Sequence, residues 1–175
     1  MNVKTLTSGL VAGAAGVAAM TLTEKIEQAV TRRPDSFVPA HTLERLLRLL
    51  EKPDHERVVL NRVMHWGQGI VLGPVRAWMT SRRLGGPFGS LLFMNLRLLN
   101  DQSLENATGV GSPPWTWPRD EQAIDLFHKA VYAGVTGIVA DRLLKSASDG
   151  TSEDPVVKRE ATEADAEDAS PLIRP

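Results

Sequence analysis

The chain contains no cysteine, which excludes disulfides, thiolate catalysis and cysteine-ligated zinc. It has one tyrosine and only 5% aromatic residues, and its basic residues are scattered among acids, so nucleic-acid binding has little support. No run matches a phosphate-binding glycine loop, a dinucleotide fingerprint, HExxH or GxSxG. No nucleophile–base pair is visible either, so a soluble redox or hydrolytic enzyme finds no support and no cofactor is expected. A large net charge is missing as well, at −1 overall. That balance hides an asymmetry. Residues 149–175 hold eight acids against Lys158, Arg159 and Arg174, which makes this tail −5 and the rest of the chain +4. The tail lacks aromatics and apolar periodicity and carries Pro155, Pro171 and Pro175, as a disordered segment does.

Long apolar runs are scarce too. The one that stands out is "TLTSGLVAGAAGVAAMTLT", 19 uncharged residues between Lys4 and Glu24. As a helix it would span about 28 Å, close to a hydrocarbon core. Gly9, Gly13 and Gly16, with Ala12 and Ala15, give it a small-residue face of the kind that brings helices close in lipid. A cleaved signal peptide is the rival, with Lys4 as its basic start and "VAA" as its small residues. Against it, the run merges into "EKIEQAV" without a turn signal.

Pro34 and Pro39 break this helix. "HTLERLLRLLEK" then sets Leu43, Leu46, Leu47 and Leu50 on one face of a short amphipathic helix, packed on the domain or lying at a membrane surface. Pro53 predicts the first turn of the next helix, running to about Arg82. "GGPFG" marks a turn, and a third apolar stretch, "FGSLLFMNL", leads up to Arg97. "GVGSPPWTWPRDE" is a proline–tryptophan loop, and Pro118 opens the last long helix, to about Lys145. Only the first helix is transmembrane by length alone. The others gain support from Gly69-x3-Gly73 and Gly134-x2-Gly137. A glycine inside a helix costs about 1 kcal/mol relative to alanine in water, and tight packing supplies a reason for it. Trp66, Trp78, Trp115 and Trp117 lie near helix ends or in the aromatic loop, as an interfacial belt would place them. The expectation is an all-α, four-helix membrane bundle over residues 1–148 with one short amphipathic helix, followed by the acidic disordered tail, 149–175. It would be multi-pass, with the lipid bilayer as its partner. Glycine contacts would hold together the bundle and, in a homo-oligomer, copies of it.

The stretches "GLVAGAAGVAAMTLTEKIE", "RPDSFVPAHTLERLL", "MHWGQGIVLGPVRAWM" and "PPWTWPRDEQAIDLFHKAVYAGVTG" resemble the YagU-like family of small multi-helix inner-membrane proteins over about residues 5–145. The resemblance implies a small integral membrane protein with no defined catalytic residues and a role of the acid-tolerance type. Two positions depart from the family pattern: Lys129 stands after His128, where a second histidine is common, and "WGQ" follows His65, where a glycine–tyrosine pair is common.

If the four long helices run up and down alternately, one face of the bundle collects polar groups from each. These are Glu24 and Glu27, Arg62 and His65, Asn95 and Arg97, and Asp125 and His128. Ionisable groups in a bilayer face inward and pair, so Glu24 with Arg62 or Arg97, and Asp125 with His128, are the expected pairs. The candidate site is Glu24, His65, Asn95, Arg97, Asp125 and His128. It is proton- or cation-responsive if the histidines titrate near their ordinary pKa. Charged helix ends at a headgroup boundary would give the same layout. The alternatives are a helical-bundle metalloprotein, using Asp125-x-x-His128 with Glu24 and His65, and a purely structural membrane subunit. Arg62 stands where a second acid-x-x-His pair would need its acid. The opposite ends hold Ser8, Thr80 and Asp141, among arginines and lysines placed as interfacial anchors. Trp115 and Trp117 could stack on a ligand, but anchoring in the lipid interface is favoured.

Overall fold

The computed structural model describes residues 1–152, with side chains through residue 146. Five α-helices and two 3-10 turns make up these residues, with no strand among them. They are α1 (Val3–Thr31), α2 (Val38–Leu47), α3 (Val58–Ser81), α4 (Gly86–Thr108) and α5 (Arg119–Ser152), with 3-10 turns at Asp54–Glu56 and Pro114–Thr116. The fold is all-α. α5 runs on to Ser152; the rest of the expected acidic tail lies outside the described residues.

Local chemistry sets the helix ends. The Asn2 side chain caps α1 by accepting from Thr5 N at 2.8 Å. Arg32, in the left-handed region, closes it just before Pro34. Pro87 sits in the first turn of α4, where its missing N–H costs nothing, and Gly109 at φ 67° ends that helix. Two boundaries differ from the sequence expectation. Pro53 precedes a 3-10 turn, so α3 starts only at Val58. α4 does not stop near Arg97 but continues to Thr108.

The long helices alternate in direction. α1 lies antiparallel to α3, with Gly9 against Pro74, Gly13 against Gly69 and Thr21 beside His65. It is antiparallel to α5 as well, with Gly16 against Tyr132 and Thr136. α4 packs on α5 through Phe93 and Tyr132, whose ring centroids are 5.6 Å apart, and through Ser90 beside Gly137. The start of α1, the end of α5 and the α3–α4 turn therefore share one end of the bundle. α2 and the proline-rich loops share the other.

At the glycine contacts no Cβ would fit. On Gly13 it would lie 2.6 Å from Gly69 O, and on Gly73 it would run into the Gly9 carbonyl. Gly134 is different: a Cβ there meets nothing within 4 Å, so it makes none of the close contact expected of it.

Val17, Met20, Met79, Phe93, Tyr132 and Ala133 form the main apolar core, and Ala12, Ala77 and Ala140 a smaller one. The exterior is strongly apolar. Val11 and Ile26 on α1, Val63 and Val71 on α3, Phe88 and Leu99 on α4, and Phe127 and Ile138 on α5 are all exposed. Two helical segments, Val3–Thr31 and Arg119–Ser146, are long and apolar enough to cross a membrane; the second was not apparent from the length of its uncharged run. On α2 the residues turned inward are Ala40, Thr42 and Glu44. Leu46 and Leu47 are exposed, as is Leu50 beyond the helix end, and of the expected leucine face only Leu43 is half-buried.

Candidate functional site

Toward the proline-loop end the close glycine contacts run out, and the four long helices enclose a cavity of about 620 Å³. Its walls come from the second half of α1, the first halves of α3 and α5, and the second half of α4. Residues 35–37 and 110–112 with 116–118 line it from the two loops, and Val38, Pro39 and Thr42 from α2. Glu24, His65, Arg97, Asp125 and His128 all line it. Asn95 does not: it is exposed on α4 and donates from Nδ2 to Leu91 O at 2.8 Å.

The pairing inside differs from expectation. Arg97, 4% exposed, donates from Nε to Asp101 Oδ2 at 3.0 Å and from Nη2 to Gln68 Oε1 at 3.3 Å. Its guanidinium carbon lies 5.3 Å from the centroid of the Tyr132 ring. Asp125 pairs with Lys129, not with His128. The acid and the lysine are four residues apart on one helix face, and the long ammonium also reaches Asp101 at 3.5 Å. Glu24 forms an ion pair with neither Arg62 nor Arg97; its carboxylate accepts a long hydrogen bond from Gln28 Nε2 at 3.5 Å.

His65 Nε2 lies 3.1 Å from Thr21 Oγ1, whose hydroxyl donates to Val17 O at 2.8 Å. The hydroxyl hydrogen being used, the Thr21 oxygen accepts, which assigns the proton to Nε2 and leaves Nδ1 an acceptor. His128 is 8% exposed, and its Nε2 has no hydrogen-bond partner. Arg97 Nη1 is likewise buried without one. Among the described residues no three His, Asp or Glu side chains gather as metal ligands, so the Glu24, His65, Asp125 and His128 set is not assembled as a metal site.

Ion pairs fasten the loop after α1. Arg33 reaches back to Glu27 at 2.8 Å, and Lys25 to Asp35 at 2.5 Å. The Lys25 hydrogen bond holds the Asp35 carboxyl below the usual carboxylate range. Arg45 of α2 donates to the carbonyls of Thr108 and Gly109, each at 3.1 Å, tying α2 to the end of α4. Trp117 Nε1 donates to Ser112 O at 2.9 Å within the second loop, whereas Trp115 is 81% exposed.

Gln68, Asp101, Glu105, Lys129 and Thr21 belong to this site but were not anticipated. The clue for two of them was in plain view: Arg97-x3-Asp101 and Asp125-x3-Lys129 are both i,i+4 pairs. A second buried polar cluster lies at the opposite end. Arg76 is no interfacial anchor; it is 0% exposed, bound to both oxygens of Asp141 at 3.1 Å and to Thr80 Oγ1 at 2.5 Å. Asp141 also accepts from Gly86 N at 2.8 Å, so one carboxylate joins α3, α4 and α5. No family model, curated protein or solved structure matches this chain.

Proposed function

We propose that the chain is a small multi-pass integral membrane protein without enzymatic activity, whose four long helices surround a polar, proton- or cation-responsive cavity at one end. The observation that carries this is the distribution of side chains. Arg76, Arg97, Asp101 and Lys129 are buried between helices and ion-paired, while every long helix turns large apolar residues outward. Water favours the reverse arrangement, and an apolar exterior this extensive calls for a covering phase. Lipid favours the observed one, because a charge facing hydrocarbon costs a few kcal/mol or more. Glycine-to-backbone contacts between α1 and α3 suit the same setting, where close packing replaces hydrophobic exclusion as the force between helices. The resemblance to the YagU-like family points the same way and adds the acid-tolerance type of role. α2, with Leu46 and Leu47 exposed and Arg45 and Arg48 beside them, fits the boundary between headgroups and water.

The test is membrane fractionation of the full chain carrying a C-terminal tag, with the pellet washed in alkaline carbonate. Full-length protein retained in the pellet is the expected result. Release into the wash, or a product shortened by the length of α1, overturns the bundle. Responsiveness is tested separately by His65→Gln and His128→Gln. A pH response abolished by these substitutions in folded protein supports it, and an unchanged response assigns both rings to packing.

A further inference from the structure

Across the middle of the four long helices the outward side chains are apolar, with one exception. In residues 8–22 of α1, 63–78 of α3, 88–99 of α4 and 126–138 of α5, every exposed side chain is aliphatic or aromatic except Asn95 on α4. Its level is that of the main core. Tyr132, which faces Gly16 in the uncharged run of α1, packs on Phe93. Asn95 follows Phe93 by two residues, about 3 Å along the helix axis. Asn95 Nδ2 donates to Leu91 O at 2.8 Å, which leaves its second N–H and its amide oxygen without a partner in the chain. Hydrocarbon supplies neither a donor nor an acceptor, so an amide facing it is costly until another helix satisfies it.

The residues around Asn95 are ordered as a seam. Phe88, Leu92, Asn95 and Leu99 follow at steps of four, three and four, with Leu91 and Leu96 beside them, and all six are exposed. That is the heptad spacing of two helices packed along their length, and one asparagine at a seam position fixes the register and the number of strands. No charge interrupts the face, because Arg97 turns inward to Asp101 and Gln68. α4 packs chiefly on α5, with α3 and α2 at its flanks, and no described residue covers this side.

We infer that this face of α4 is the interface with a second copy of the chain, joined by hydrogen bonds between the two Asn95 amides, an inference that rests on the proposed membrane bundle. Two copies inserted in the same orientation are related by a two-fold axis along the membrane normal. Their α4 helices then run parallel, and each seam residue meets its own counterpart. Asn95 needs an acceptor for one N–H and a donor for its oxygen, and a second Asn95 supplies both.

The native chain has no cysteine, so single introduced cysteines report on one position each. Leu92→Cys and Leu99→Cys, in the full chain in intact membranes, should each give disulfide-linked dimers on oxidation with copper phenanthroline. Val71→Cys and Ile138→Cys, at exposed positions of α3 and α5, should not. Energy transfer between tagged copies in liposomes, followed as lipid dilutes the protein, then tests the amide. Asn95→Leu, which keeps the face apolar, should weaken association by about tenfold, and Asn95→Gln should retain most of it. Absence of dimers from positions 92 and 99, equal dimers from 71 and 138, or association indifferent to Asn95→Leu overturns the inference. So does a cysteine at 92 that links to a different protein instead of its own copy. Protein that stays in carbonate-washed membranes as a monomer overturns this inference alone, whereas release from the membrane removes the bundle beneath it.

Discussion

The two ends of the helix bundle bury the same kind of group in opposite ways. At the end holding the α3–α4 turn, Arg76 is enclosed, with Asp141, Thr80, Ser90 and the Gly86 carbonyl around its guanidinium and its Nε, like one nitrogen of Arg97, left without a partner. At the loop end, Arg97 has one carboxylate, one amide and an unmade bond, and it borders a cavity. The glycines explain the difference. Gly9, Gly13 and Gly73 let the backbones of α1 and α3 touch, and Gly137 admits Arg76 and Ser90 beside α5. Past Gly16 and Gly69 the facing positions carry Thr21, Glu24, His65 and Gln68, and side chains of that size hold the helices apart. One end is a lock, and the other is a vessel.

The contrast predicts unequal costs for the two arginines. Arg76→Met strips a fully buried cation from Asp141, whose side chain is 29% exposed and keeps Thr80 and Gly86 as donors, and should destabilise the bundle by about 3 kcal/mol. Arg97→Met leaves Asp101 with Lys129 at 3.5 Å and opens onto a cavity that admits water, so a loss of about 1–2 kcal/mol is expected. Both are read from chemical unfolding in detergent micelles. Equal losses would mean that the loop end is as tightly determined as the other, and the comparison would fail.

The glycines give a second pair. Gly73→Val drives a side chain into the Gly9 carbonyl, which is backbone and cannot step aside, and roughly 3 kcal/mol or more of overpacking is expected. Gly134→Ala places a methyl in open space on a helix and should stabilise by up to about 1 kcal/mol. A loss at position 134 would reveal a neighbour there, as a second copy of the chain would provide.

Much of this architecture is legible in the residues. The apolar run from Thr5 to Thr23, the proline breaks and the aromatic loop delimit the helices, and alternating direction brings Glu24, His65, Arg97, Asp125 and His128 to one end. What escaped has a common cause. "NDQSLEN" after Leu99 is polar enough to pass for a loop, yet it continues α4 and carries Asp101 and Glu105 into the cavity. Ending the helix at Arg97 left that arginine without its true partner and promoted Asn95, which faces out. Lys129 was seen only as a departure from a histidine pair, although its spacing from Asp125 is that of a helical ion pair. Gly134 shows the limit of small-residue spacing: Gly137, three residues on, faces Ser90 and Arg76, and a three-residue step need not keep both on the seam.

The smallest expected effect separates a loop fastening from the bundle itself. Lys25 and Asp35 pair at 2.5 Å, but both side chains are more than half exposed, at 56% and 55%, so solvent screens them and the pair contributes little to global stability. The Asp35 carboxyl is held below its ordinary value of 3.8 by the Lys25 hydrogen bond. A lowered acid contributes in full above that ordinary value, and its contribution is lost as the pH falls through the lower, folded one. Asp35→Asn should therefore speed amide exchange in residues 32–37 at neutral pH by a small factor, and make no difference well below pH 3. The unfolding midpoint should not move at either pH. A midpoint that shifts at neutral pH would place this pair among the contacts that hold the bundle closed, and the loop end would have a lock of its own.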